Sequence, residues 1–292
     1  MAAIVAELLD VLDLSGLDQD RFRGQSLQTG WFRVFGGQVV AQALVAASRT
    51  VPDSRPPHSL HAYFLLGGDP NAPIDYAVER IRDGRSFSTR RVVAEQHGRA
   101  IFAMSVSYHD AEDGVSHQAE MPDVPAPEDV AEAPAAAARA VQGGAVIPAP
   151  ILSYFGRQRP IELRPVEIER YLRRAPLEPR FHVWLRAVDR LPDDPAIHRA
   201  VLAYASDMTL LDATLVPHGQ TVFDGEIQSA SLDHALWFHR PFRADEWLLY
   251  AQDTPSAGGA RGFARGQIFT RDGILVASVA QEGMIRPRRV EA

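Results

Sequence analysis

Three polar side chains lie where this sequence otherwise runs apolar, and they supply an acid, a hydroxyl and an amide. Asp207 falls inside AVLAYASDMTLL, the most apolar helical run of the chain. A carboxylate there is costly unless it is hydrogen-bonded or faces a cleft. Two roles are open to it: the N-cap of a new helical turn starting at Met208, or a functional acid that accepts a proton. Ser231 lies in the strand that begins IQSASLD and, at even spacing, faces the same way as Asp233. Taken alone it reads as a plain sheet serine. Gln281 follows Leu275, Ala277 and Val279 at even spacing, so it extends an apolar row toward the interior. A buried amide must find partners, and a structural partner would satisfy it as well as a functional one.

Other chemistries fail on residue type or geometry. The chain has no Cys, and all 30 of its basic side chains other than His are Arg. That removes thiolate chemistry, disulfides, Schiff bases and the phosphate lysine of Walker loops. No G-x-S-x-G occurs. Gly258, Gly259 and Gly262 precede a strand and make no dinucleotide loop. His58 and His61 form H-x-x-H, but odd spacing in a strand predicts opposite faces and no shared metal. The same parity argument separates His234 from Ser231 and Asp233 and predicts that they form no triad.

A net charge of −7 disfavours nucleic acid as a partner. The N-terminus carries acids among its apolar residues and lacks a basic leader, the C-terminal RRVEA is no peroxisomal address, and no apolar run reaches about 18 residues. The expectation is a soluble cytoplasmic protein with no membrane span.

At 292 residues the chain has room for two modest units. Residues 111–150 are dense in Ala, Pro, Glu and Gly and read as a packed linker, with EDVAEAPAAAARAV holding a helical turn or two. The units on either side, 10–110 and 151–288, resemble each other. Phe64 matches Phe238 and Tyr76 matches Tyr250, both 174 apart, while Val106 falls opposite Gln281 at an offset of 175. Each half has an apolar helical run, Gly36 to Thr50 and Ala196 to Val216, followed by strands. His97-Gly98 and Asp272-Gly273 sit where hairpins demand positive φ. The pattern predicts an α+β fold: two antiparallel sheets, each wrapped around a long buried helix and joined edge to edge.

RVFGGQVVAQAL, HSLHAYFL, RDGRSFSTRRV, LAYASDMTLL, LDHALWFHRPFRADEWLLY and LVASVAQEGMIR together resemble the type II acyl-CoA thioesterases (TesB-like), a double-hotdog family, over essentially the whole chain. The resemblance implies hydrolysis of acyl-CoA, medium- to long-chain, to fatty acid and CoA, with no cofactor and no metal. It implies a catalytic trio around one water, carried here by Asp207, Ser231 and Gln281. The best-known bacterial members are similar but have Thr where this chain has Ser231. The first half has no acid in its helix and Val106 opposite Gln281, so one complete site per duplicated pair is expected. A homo-oligomer, dimer or higher, is also implied. The anionic end of CoA needs Arg in a Lys-free chain, with Arg85, Arg90, Arg261 and Arg286 as candidates. A hotdog hydratase would need a Y-x-D-x-N-P-x-H-type segment, which the chain lacks; a non-catalytic acyl-CoA sensor would have no use for the trio.

Overall fold

The structure is a computed structural model that describes residues 2–27, 32–144, 147–172 and 175–288. Positions 145 and 146 of the expected linker and 173 and 174 of the second unit therefore lie outside the described residues. The first half contains α1 (Ala3–Leu12), β1 (Ser15–Asp18), β2 (Arg21–Gly24), α2 (Gly36–Ser48), β3 (Pro57–Phe64), β4 (Ile74–Asp83), β5 (Phe87–Gln96) and β6 (Arg99–His109). Next come α3 (Ala133–Gln142), α4 (Ala149–Gly156), β7 (Ile161–Pro165), α5 (Glu169–Leu172) and β8 (Arg180–Ala187). The second half continues with α6 (Pro195–Ser206), α7 (Leu210–Ala213), β9 (Ile227–Ser231), β10 (Asp233–Phe238), β11 (Leu248–Gly258), β12 (Arg261–Thr270) and β13 (Leu275–Pro287).

The duplication is visible in the element boundaries. β4 and β5 begin at Ile74 and Phe87, and β11 and β12 begin 174 residues later at Leu248 and Arg261. Among the described residues, the strands form one antiparallel sheet in the order β1-β2-β4-β5-β6-β3-β10-β13-β12-β11-β8-β7, with β9 beside β13. The halves meet where β3 pairs with β10, from Ser59↔Trp237 to Tyr63↔Asp233. That pairing leaves neither unit an open edge at the junction. Two halves of this continuous sheet, each holding a buried helix and joined edge to edge, match the expected double hotdog.

α2 and α6 lie against each other inside the sheet. Val39, Val40, Ala41, Ala43, Ala46 and Ala47 of α2 and Ala200 to Ala205 of α6 are all buried. Small side chains let the two backbones approach closely. Phe35, just before α2, packs edge-on against Tyr204 of α6 with ring centroids 5.0 Å apart. The buried tyrosines at the duplicated position both reach a helix: Tyr76 donates to Gln42 Oε1 at 2.6 Å, and Tyr250 donates to the Ser206 carbonyl at 2.9 Å.

Several sequence expectations change, three of them in the helices and strands that frame the site. The run from Ala196 to Val216 is not one helix: α6 stops at Ser206, α7 spans four residues, and a single 3-10 turn follows at Val216–His218. Side-chain bonds from the break to the sheet compete with continuing the helix, including Gln252 Nε2 donating to Thr209 Oγ1 at 2.8 Å. At the hairpins, His97 and Gly98 both have positive φ (51° and 70°), but in the matching turn Gly273 (87°) adopts it and Asp272 does not. The third change concerns strand parity and shapes the site described below.

The stretch after β6 packs on the sheet's outer face. Met121, Val124 and Val130 join Trp184, Trp247, Leu249, Phe269 and Leu275, and Trp184 Nε1 donates to the Pro125 carbonyl at 2.9 Å. Its helical part is α3, longer than the turn or two expected.

Candidate active site

Asp207 is the C-cap of α6, with helical φ and ψ of −89° and −1°. It is not the N-cap of the next turn, where Thr209 stands. A carboxylate at a helix C-terminus faces the negative end of that helix's dipole, an unfavourable place unless something else holds it. The holder is the other half of the chain. The N-terminus of α2 points at Asp207: the Gly37 N–H donates to the carboxylate, and a Cβ on Gly36 would lie 2.6 Å from Asp207 Oδ2. Only glycine leaves room there for the acid to touch the positive end of α2.

The sheet supplies the remaining contacts. Gln281 Nε2 donates to Asp207 Oδ1 at 3.0 Å and to Ser231 Oγ at 2.6 Å, and Ser231 Oγ donates to Asp207 Oδ1 at 3.3 Å. The three residues proposed from sequence are thus brought into one hydrogen-bonded triangle. Gln281 is 1% exposed. Its partners are the acid and hydroxyl of the triangle, together with His234.

His234 was separated from Ser231 by strand parity, and the structure overturns that. β9 pairs Ser231 with Gly283, while β10 pairs Ala235 with Ala280. Four steps along one strand therefore match three along the other, which is a β-bulge, and one extra residue reverses which face a side chain takes. His234 consequently turns inward with Ser231. Its Nδ1 lies 2.9 Å from Gln281 Oε1, and its Nε2 lies 2.9 Å from Ser206 Oγ. The first half has the same irregularity at the matching place, between Pro57 and Ser59 of β3. A polar-for-apolar exchange between the duplicated halves was the available signal: His234 and Gln281 correspond to Leu60 and Val106, which face each other across β3 and β6. Gly36 and Gly37 had no signal beyond opening a helical run.

Burial raises the Asp207 carboxyl above the usual aspartate range; the nearby His234 ring, the Gln281 and Ser231 hydrogen bonds and the Gly37 N–H pull it back down. A base must be ionised to act, so activity is expected to rise with pH along an acid limb lying above the usual aspartate range. Gln281→Val removes a donor to the charged form, and the limb should then move to higher pH. A kcat/KM profile of the two proteins checks this, and a limb that stays or moves down contradicts it.

A groove of about 920 Å³ opens at the opposite end of the helix pair, between Ser48, Arg49 and Tyr108 on one side and Pro195 and Ala196 on the other. It is the duplicate of the site, with Arg49 as C-cap of α2 where α6 has Asp207. Arg49 is already paired with Asp13 at 2.6 Å. Of the two helix ends, the end of α6 is the one that carries an acid at its C-cap. Of the arginines considered for CoA, Arg90 is buried and structural, donating to Thr50 Oγ1 at 2.8 Å and Asp83 Oδ1 at 2.7 Å. Arg261 pairs with Glu282 and Arg286 donates to Gln228, while Arg85 is exposed. His58 hydrogen-bonds Ser107 and His61 packs on Trp237, so separate partners hold the H-x-x-H pair.

Comparison with known proteins places the chain among relatives of one kind. A family model described as "Acyl-CoA thioesterase" matches residues 153–284, and one described as "Acyl-CoA thioesterase N-terminal domain" matches residues 26–109. The chain is 40% identical over 286 residues to acyl-CoA thioesterase 2 of Haemophilus influenzae, covering 98% of this chain and 99% of that one. It is 40% identical over 282 residues to acyl-coenzyme A thioesterase 8 of Homo sapiens, covering 94% and 88%. The crystal structure of an acyl-CoA thioesterase II from Mycobacterium marinum superposes with a TM-score of 0.78 at 44% identity, covering 96% of this chain and 98% of that one. With two family models side by side along it and relatives aligned over nearly its full length, the chain belongs to the acyl-CoA thioesterase family.

Proposed function

We propose that this thioesterase hydrolyses medium- to long-chain acyl-CoA to free fatty acid and CoA, with Asp207, Ser231 and Gln281 acting on one water. Asp207 accepts a proton as the water oxygen attacks the thioester carbon. The resulting tetrahedral species breaks its C–S bond, and the proton passes from Asp207 to the departing thiolate. Gln281 and Ser231 orient the water, since an amide and a hydroxyl can each donate and accept. The positive end of α2 offsets negative charge developing beside it. The observation that carries this reading is the closed triangle of hydrogen bonds around a carboxylate whose proton affinity burial has raised.

The proposal includes two structural units, residues 10–110 and 151–288 joined by 111–150, assembly as a homo-oligomer, and the cytoplasm as the compartment. Tyr63, 63% exposed on the outer face of the central strand β3, supports a further protein surface covering the sheet. Among the described residues no helix is long and apolar enough to cross a membrane, and no cluster of three or more His, Asp or Glu could hold a metal ion. The test is a thiol-release assay across acyl-CoA chain lengths, on protein whose mass is read by light scattering against the 32.1 kDa chain. Turnover unchanged by EDTA, highest on medium to long chains, from a species heavier than the monomer is expected. Loss in EDTA with recovery on adding a divalent metal would refute the metal-free mechanism.

A further inference from the structure

We propose that His234 is a positioning residue for this reaction, holding the Gln281 amide in the one orientation that lets it serve Asp207 and Ser231; the inference rests on the reading of the site given above. His234 is fully buried. Gln281 Nε2 donates to both Asp207 Oδ1 and Ser231 Oγ, which leaves Oε1 to accept, and an acceptor facing it requires a hydrogen on His234 Nδ1. The network therefore places a hydrogen on Nδ1, and the ring in turn prevents the amide from flipping. The far side of the ring is held by Ser206, whose Oγ lies 2.9 Å from Nε2 and 2.9 Å from the Ala203 carbonyl. Ser206 immediately precedes Asp207, and its own carbonyl accepts from Tyr250 at 2.9 Å. Ser206, His234, Gln281 and Asp207 thus close a ring of contacts that ties the end of α6 to β10 and β13.

The duplication supplies an internal control. At the equivalent register of the first half, Leu60 faces Val106, and both are as buried as His234 and Gln281. The fold therefore accepts an apolar pair at this place. The polar pair stands in the half whose helix ends in an acid, and the apolar pair in the half whose helix ends in Arg49. Without a role in the site, a buried imidazole would be a polar group in a position that leucine fills elsewhere in the same sheet.

The experiment measures kcat and KM by thiol release for His234→Leu, His234→Asn, Gln281→Val and the double variant His234→Leu/Gln281→Val. Leucine and valine are the residues of the first half. Asparagine places an amide N–H near the Nδ1 position and can still donate to Gln281. His234→Leu is expected to lower kcat by roughly 10-fold to 10²-fold with KM changed less than about twofold, and His234→Asn to return kcat to within about threefold of the parent. In the Gln281→Val background, His234→Leu is expected to change kcat by less than about twofold, because the histidine acts through the amide. Near-parental kcat for His234→Leu beside an impaired Gln281→Val overturns the role of His234 and leaves the trio standing, as do losses that multiply in the double variant. Near-parental kcat for Gln281→Val alone overturns the trio, and this proposal with it. If His234→Leu does not fold, His234→Gln takes its place, since its longer amide reaches Ser206 but not Gln281. The same loss is expected of it, and parental kcat would count against the proposal.

Discussion

Asp207→Asn is expected to lower kcat by about 10²–10⁴-fold while leaving the protein folded and at least as heat-stable as the parent. The first half of that expectation follows from proton affinity. The amide fills the same space and can still accept from Gln281 and Ser231 through its oxygen, but it cannot take a proton from water. The loss corresponds to about 3–5 kcal/mol of barrier. The second half follows from linkage. Burial raises the Asp207 carboxyl in the folded state. The folded protein therefore binds more protons than the unfolded chain between the two values, and stability falls as pH rises through the folded one. At neutral pH the ionised acid is a net cost that asparagine removes, and its position at the C-terminal end of α6 adds to that cost. The favourable end of α2 offsets part of it, so melting temperature should stay level or rise. Kinetics and thermal unfolding on the same preparation check both halves. Near-normal turnover by a folded variant would reject the site assignment, and a large drop in melting temperature would make the acid structural.

Gly37→Ala carries the second large expectation. A Cβ there would meet the Tyr204 carbonyl oxygen across the α2–α6 contact, with the Phe35 ring 2.6 Å away. Two effects oppose each other. Alanine is the better helix former by up to about 1 kcal/mol, less so in the first turn. Overpacking costs about 1–3 kcal/mol, and the upper part of that range applies because a backbone carbonyl cannot move aside by changing rotamer. The clash wins, and a net loss of about 2 kcal/mol is expected. The same shift parts the N-terminus of α2 from Asp207, so kcat should fall in the protein that remains folded. Gly16→Ala is the control, since nothing lies within 4 Å of a Cβ at Gly16. Denaturant unfolding of the two variants distinguishes them. Equal stability would show that the helices do not depend on this close approach.

Much of this fold was legible because strand and helix periodicity are local properties that a duplication repeats. The offsets of 174 and 175 located β4 with β11, β5 with β12, and Val106 opposite Gln281, and those matches survive in the structure. The acid inside an apolar run and the amide closing an apolar row marked Asp207 and Gln281 as exceptions that needed partners. Which partners they found was a tertiary matter. Asp207 meets Ser231 and Gln281 across 24 and 74 residues of chain, and no spacing rule spans such distances.

Of the two roles open to Asp207, the N-cap of a new turn is the one that fails, because contacts with β9, β13 and α2, rather than local propensity, determine where α6 stops. His234 was lost to the parity rule, which holds only while pairing is regular. A single extra residue between Ser231 and Asp233 reverses the face, and a bulge leaves no mark in the composition of a strand. By itself the sequence determined the repeated elements, their order and the chemically exceptional residues. The packing of one unit against the other decided how those residues meet, because the site's acid stands at the end of one half's helix and its positive dipole belongs to the other's.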